Sequence, residues 1–340
     1  MRPSWLFRIA SHPRHGGGHL ARGFALAAAL GKVEPATFVL DAGADVAMSR
    51  ARALGYRAVP RGREGAGPWI GIFVDSYVLD RDDLRYLADM AVPIVVMDDF
   101  LDPPDVASLA VNAAFHLKGD HIGDLPALLG PRFALVDPRF SAASRRPTAN
   151  EVRTILVTFG RVDPDNATGL ILRALRTLAR RGFRPRVTIL MGREGRYLDD
   201  VRSAAEDLPE AELLTDIEDV LPLLIRSDMV IGAGGVSLFE RAACGVPSLT
   251  LTIADNQKLF VEGAVSLGVT AWGGASAAGD VADIADRIHA LAGDRKRRAT
   301  MSATARAAVD GRGPARVAEA MTRMVAEHRS GRLAANGESP

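Results

Sequence analysis

Short β-branched runs alternate along this chain with amphipathic segments at helical spacing, the pattern of parallel sheets covered by helices. Leu6 to Ala10, Thr37 to Leu40, Trp69 to Val74 and Pro93 to Met97 read as strands. Helices are expected between them at about Leu20 to Leu30, Asp45 to Leu54 and Arg81 to Met90. These elements make one doubly wound α/β sheet. Residues 141–150 (SAASRRPTAN) lose their large apolar side chains and carry a proline, the composition of a linker.

The alternation then restarts. Strands are expected at Thr154 to Phe159, Arg186 to Met191, Leu213 to Leu214, Met229 to Gly232 and Ser248 to Ile253. Helices intervene at about Asn166 to Arg181, Leu198 to Glu206, Val220 to Arg226, Val236 to Cys244 and Gln257 to Leu267. From Val281 onward the pattern is helical, and a last helix at about Ala315 to His328 is expected to cross back to the first domain. The division predicted is a first Rossmann-like domain over 1–145, a second over 151–328 and a frayed polar tail over 329–340.

Bulk properties narrow the class. A chain of 340 residues, 48% of them hydrophobic, exceeds one ordinary core, which agrees with two domains. The 42 basic and 41 acidic residues leave a formal charge of +1, so no net field favours nucleic acid or an acidic membrane surface. Cys244, the single cysteine, follows an apolar helical stretch and suits a buried thiol in a reducing compartment such as the cytoplasm. Met1 to Ala10 lacks the long apolar core of a secretory leader, and no stretch approaches the length of a membrane span. A soluble cytoplasmic protein is expected.

Four places can carry chemistry. The run Gly16-Gly17-Gly18-His19-Leu20-Ala21-Arg22 follows the first strand and opens a helix. Glycines there let backbone approach a ligand, and the helix start offers N–H groups to a phosphate or developing anion, with His19 placed as a base. The alternative is a capping His beside a flexible turn. His12, His15 and His19 do not make a convincing zinc set, because the glycines give no rigid geometry and no Cys or carboxylate completes it. The second place is Gly232-Ala233-Gly234-Gly235-Val236, which again joins strand to helix, with Glu240 one turn in and able to accept from a ribose diol. A solvent-facing Glu240 is the plain alternative. Ala254-Asp255-Asn256-Gln257 ends the next strand on the same rim.

Asp75-Ser76-Tyr77 and Asp98-Asp99 form the third place, each ending a strand of the first domain. The aspartate pair can hold Mg²⁺, although capping turns is the favoured reading. The fourth is Gly160-Arg161 at the end of the strand that opens the second domain, where Arg161 can pair with a phosphate or only with an acidic neighbour.

In this order the pieces resemble the nucleotide-sugar hydrolase of pseudaminic acid biosynthesis, which removes UDP from UDP-2,4-diacetamido-2,4,6-trideoxy-β-L-altropyranose and is similar to the MurG-type glycosyltransferases. The resemblance runs from about Arg8 to Gly274. It rests on GGGHLAR (16–22), DSY (75–77), MDD (97–99), LLGPRFALVDPRF (128–140), VTFGRVDPDNAT (157–168), GAGGVSLFERAACGVP (232–247) and IADNQ (253–257). It implies GT-B architecture, two Rossmann-like domains facing each other across a cleft. Carried over by motif, the catalytic His falls on His19, a cleft Tyr on Tyr77 and the Asn of the NQ pair on Asn256. The nucleotide loop falls on Gly234, Gly235 and Val236, with Glu240 on the ribose; Gly17, Gly18, Arg22, Gly160, Arg161 and Gln257 complete the expected binding set. The chain departs from the pattern at Ala10 and at Arg161.

The expected activity is hydrolysis of a UDP-sugar at its anomeric carbon with inversion, without metal or cofactor. Two rivals stand beside it: a glycosyltransferase in which His19 deprotonates an acceptor hydroxyl, and an idle nucleotide-sugar binding protein.

Overall fold

A computed structural model describes all of the chain except residues 1–2, 12–16, 32–33, 42, 66, 78, 144–146, 209, 255–256, 276–278 and 336–340, and the side chains of 332–335. The chain forms two compact units, Met1–Asp137 with Gly311–Pro340, and Pro138–Asp310. The division differs from the expected one at both ends of the second unit. The change of unit falls at Pro138, ahead of the 141–150 segment, and the first unit is discontinuous in sequence.

The first unit contains β1 (Ser4–Ile9), α1 (Gly18–Leu30), β2 (Ala36–Leu40), α2 (Asp45–Ala53), β3 (Arg57–Pro60), β4 (Trp69–Asp75), α3 (Arg81–Asp89), β5 (Ile94–Met97), β6 (Leu109–Asn112), β7 (His121–Ile122) and β8 (Leu125–Leu129). The second contains α4 (Pro138–Ala142), β9 (Thr154–Thr158), α5 (Ala167–Arg180), β10 (Arg186–Met191), α6 (Leu198–Glu206), β11 (Ala211–Thr215), α7 (Leu221–Arg226) and β12 (Met229–Ala233). It continues through α8 (Val236–Cys244), β13 (Ser248–Thr252), α9 (Lys258–Ser266), β14 (Ala271–Ala275), α10 (Val281–Gly293) and α11 (Arg295–Ala308). Finally α12 (Gly313–Ala335) returns to the first unit and packs on α1.

Among the described residues the first sheet has the order β3-β2-β1-β4-β5-β6-β8-β7, parallel except for the β7/β8 pair. The second has the order β11-β10-β9-β12-β13-β14, parallel throughout. Both place their first strand beside their fourth, so the direction of winding reverses between β1 and β4 and again between β9 and β12. Ligands of open α/β sheets bind outside the carboxyl ends of strands at that reversal. Two positions are thereby singled out by topology alone.

Each reversal is set in a core that fixes its strands. All six residues of β1 are buried, and Phe7 packs on Phe38 and Phe73 at centroid distances of 5.3 and 5.1 Å. In the second unit Ile155, Val157, Ile189, Ile231 and Leu251 are buried against Ile171 and Leu175 of α5. Val317, Met321 and Val325 on α12 recur every four residues and are buried, as a helix lying on another element requires. That helix continues into the segment expected to fray, as far as Ala335. No helix among the described residues is long and apolar enough to cross a membrane.

Candidate functional site

At the reversal in the first sheet, β1 leads into the glycine turn and α1, while β4 ends at Asp75. The Ala- and Leu-rich sequence of α1 favours helix, and its N-cap, Gly17, has no side chain to offer its first N–H groups. His19 in that first turn faces Asp75: Nδ1 lies 2.6 Å from Asp75 Oδ1, with His19 4% and Asp75 0% exposed. Arg22, one turn on, donates to both oxygens of the same carboxylate, from Nε at 2.8 Å and Nη2 at 2.7 Å. An ionised carboxylate has no hydrogen to give, so the 2.6 Å contact assigns the hydrogen to Nδ1, although Arg22 Nη2 also lies 3.0 Å from that nitrogen. That tautomer makes Nε2 the basic nitrogen.

The network extends outward. Arg22 Nη1 donates to Asp99 at 2.9 and 3.3 Å, and the Tyr77 hydroxyl donates to Asp99 Oδ2. Burial disfavours ionisation of Asp99, but the Arg22 charge and the hydrogen bonds from Tyr77 and Arg22 outweigh it and hold the carboxyl below its ordinary range. Burial, and then the Asp99 charge, pushes the Tyr77 hydroxyl well above the usual phenol value, so it serves as a donor. The Tyr77 ring stands edge-on to His19 at 4.6 Å and to Phe100 at 5.2 Å, and is 46% exposed. From the interior outward the order is thus carboxylate, imidazole, guanidinium, carboxylate and phenol.

The second reversal joins β12 to α8 through Gly234 and Gly235. Gly235, the N-cap of α8, has no side chain with which to cap, and the first turn holds no acid. The neighbouring α5 is different, because Asp163 accepts from the N–H groups of Ala167 and Thr168 and Asn166 accepts from Gly169. Among the described residues the start of α8, unlike that of α5, has no side-chain cap, which leaves the Val236 and Ser237 end of the turn to face an anion while the Leu238 N–H donates to the Gly235 carbonyl. A Cβ on Gly234 would collide with Val261 Cγ2 and come within 3.5 Å of Gln257 Oε1, so α9 brings its acid-free first turn against the same loop. Gly234→Ala should therefore cost about 1–3 kcal/mol of overpacking, and Val261→Ala should return part of it. Denaturant unfolding of the single and double variants checks this, and an additive double variant would contradict it.

No protein-family model matches the chain. A spore coat polysaccharide biosynthesis protein of Bacillus subtilis (strain 168), SpsG, is 30% identical over 129 residues, 38% of this chain and 38% of its own length. The chain thus spans well under half the length of that curated relative. Among solved structures, Acinetobacter baumannii MurG superposes with a TM-score of 0.66 at 12% identity, covering 94% of this chain and 100% of that one. The architecture is GT-B. A Listeria monocytogenes structure named for UDP-N-acetylglucosamine 2-epimerase agrees, with a TM-score of 0.64 at 14% identity over 96% of this chain and 98% of that one. At these identities the likeness is one of fold.

On the GT-B frame the expected residues divide. His19 and Tyr77 meet in one network, with Gly17 and Gly18 at the turn that starts α1. Gly234, Gly235, Val236 and Gln257 gather where α8 and α9 begin, and Glu240 sits half-buried one turn into α8. Asn256 lies outside the described residues, as do His12 and His15. Arg22, expected among the ligand-binding residues, lies within the network: it is 6% exposed, and its guanidinium donates to Asp75 and Asp99. Arg161, beside the left-handed Gly160 (φ 87°), is spoken for as well, by Glu194 at 2.6 Å and Asp216 at 3.1 Å.

The aspartate pair splits. Asp98 caps its turn by accepting from the Phe100 N–H at 3.0 Å, and burial pushes its carboxyl up. Asp99 belongs to the Arg22 network. Among the described residues no cluster of three or more His, Cys, Asp or Glu is arranged to hold a metal. The residue that sequence reasoning missed is Asp75 as the partner of His19. Its signal was present in a strand ending in Asp, but using it requires knowing that β4 lies beside β1.

Proposed function

We propose that the protein hydrolyses a UDP-sugar at its anomeric carbon, with His19 as general base. The observation that carries the reading is the buried His19–Asp75 pair, which presents a basic Nε2 at the reversal of a GT-B sheet. A water oxygen attacks C1 and gives its proton to His19 Nε2. The C1–O bond to the diphosphate breaks, and UDP leaves with the bonding pair. Attack opposite the leaving group inverts C1. Because a nucleoside diphosphate is already a good leaving group, orienting one water and stabilising one departing charge suffices. The N–H groups that start α8 receive that charge, and Glu240 is assigned to the ribose. Tyr77, and Asn256 by its resemblance, would help hold the sugar or the water.

The likeness to MurG favours a second reading, in which an acceptor hydroxyl replaces water, and the Listeria structure brings a third, epimerisation. One experiment separates the three. The protein is incubated with candidate UDP-sugars without acceptor, with and without EDTA, and followed by proton NMR. Hydrolysis predicts UDP and free sugar in equal amounts, the same in chelator, with the opposite anomer appearing first. UDP released only after an alcohol acceptor is added would establish transfer, and a UDP-sugar of changed configuration would establish epimerisation. Release that chelator abolishes and Mg²⁺ restores would overturn the metal-free mechanism.

A further inference from the structure

Two arginines of the second unit are among the largest fully buried side chains, and they are compensated in opposite ways. Arg298 donates to the carbonyls of Leu291, Ala292, Ala149 and Asn150, the first two in the last turn of α10. A cation at a helix C-terminus meets the negative end of the dipole. Arg241, 1% exposed, does the reverse. Its Nη1 donates to Ser237 Oγ in the first turn of α8 at 3.1 Å, and its Nη2 donates to the Ala233 carbonyl at 2.9 Å and to Thr250 Oγ1 at 3.2 Å. Each of these acceptors is neutral, and Nε has no partner among the described residues. Glu240 acts on Arg241 only through space, and burial pushes the guanidinium down to about 10.

The position is specific. A Cβ on Gly232 would lie 2.9 Å from Arg241 Nη1 and 2.5 Å from the Thr158 carbonyl, so this glycine leaves the room that the guanidinium occupies. Arg241 therefore lies beneath the ends of β9 and β12, at the reversal of the second sheet and under the positive end of α8. Its charge adds to that dipole where a carboxylate would offset it. A buried cation without an ion-pair partner is costly, and beyond the through-space pull of Glu240 this one is held where an anion in the glycine loop would relieve it.

We propose that Arg241 is a positioning residue whose buried charge is neutralised by the diphosphate of the bound nucleotide. The proposal rests on the reading that the second unit holds that nucleotide. Arg241 tethers the loop at the Ala233 carbonyl and at Ser237, and it supplies from below the countercharge that the exposed Arg161, already paired, does not.

Calorimetry on the full-length protein with uridine, UMP and UDP tests this. The wild type should bind UDP more tightly than uridine. In Arg241→Gln, uridine affinity should stay near wild type while the preference for UDP over uridine falls about tenfold or more, the size of a partly screened charge interaction. Arg241→Lys keeps the charge but not the three-way fork, and should keep most of the preference. A purely structural arginine would behave otherwise, weakening uridine and UDP by the same factor in both variants. That result, or a Gln variant with the wild-type preference, overturns the proposal. Should the Gln variant fail to fold, the Lys variant decides: preference kept supports the charge, preference lost refutes it. A wild type that binds UDP no better than uridine would overturn the nucleotide reading itself, and this proposal with it.

Discussion

His19→Ala is expected to lower turnover of the UDP-sugar by about a hundredfold to ten-thousandfold, the range of a general base, with UDP affinity close to wild type. The two effects separate because His19 sits in the first unit, in contact with Asp75, Arg22 and Tyr77, whereas the donors proposed for UDP start α8. Single-turnover kinetics and UDP calorimetry on the same preparation measure both. Wild-type turnover in the Ala variant would remove His19 from the mechanism. Equal loss of turnover and of UDP affinity would mean that the nucleotide, rather than the water, is what His19 touches.

Asp75→Asn should be nearly as severe, with turnover down about a hundredfold or more, although no atom of Asp75 is assigned to the substrate. With its one oxygen kept on Arg22 Nε at the Oδ2 position, the amide loses the Arg22 Nη2 bond and places its NH₂ at the Oδ1 position, facing His19 Nδ1. Nδ1 must then accept, the hydrogen moves to Nε2, and the base is lost through its tautomer. The substitution also leaves Arg22 with Asp99 alone and should cost stability, about 3–5 kcal/mol for breaking a buried pair. Turnover is therefore compared per folded molecule. The decisive measurement is the double variant: in the His19→Ala background, Asp75→Asn should lower turnover little further, since both changes remove the same function. Multiplicative losses would show that Asp75 acts independently of His19.

The periodicity of the chain exposed the strongly patterned elements and hid the weak ones. Strands β1, β2, β4, β5, β9, β10, β12 and β13 were legible because each carries a compact apolar run buried by helices. Strand β3 (RAVP) ends in proline at a sheet edge, β8 (LPALL) has proline as its second residue, and β14 (AWGGA) holds two glycines, so none gives a strand signal of its own. Their places come from pairing with β2, β6 and β13. The site shows the same split. His19 and the loop at Gly234 are local signals, a ring or a glycine at a strand-to-helix turn. The Asp75 partnership spans 56 residues and depends on which strands are neighbours. Arg22 shows a related split, since an arginine in a glycine-rich helix start suits a phosphate equally well until the buried Asp75 and the more exposed Asp99 are seen beside it.

The return of α12 to the first unit has a consequence for the order in which the molecule can be made. During synthesis residues 138–310 emerge with every strand of their own sheet, so the second unit has what it needs while the first still lacks its last helix. The first unit must wait, with α1 lacking the helix it packs against. The helix that carries His19 near its start is thus made before residues 138–310 and secured only after them. A chain cut short just after residue 310 would have a complete second unit and an open first one, exposing apolar surface on the helix that the proposed chemistry depends on.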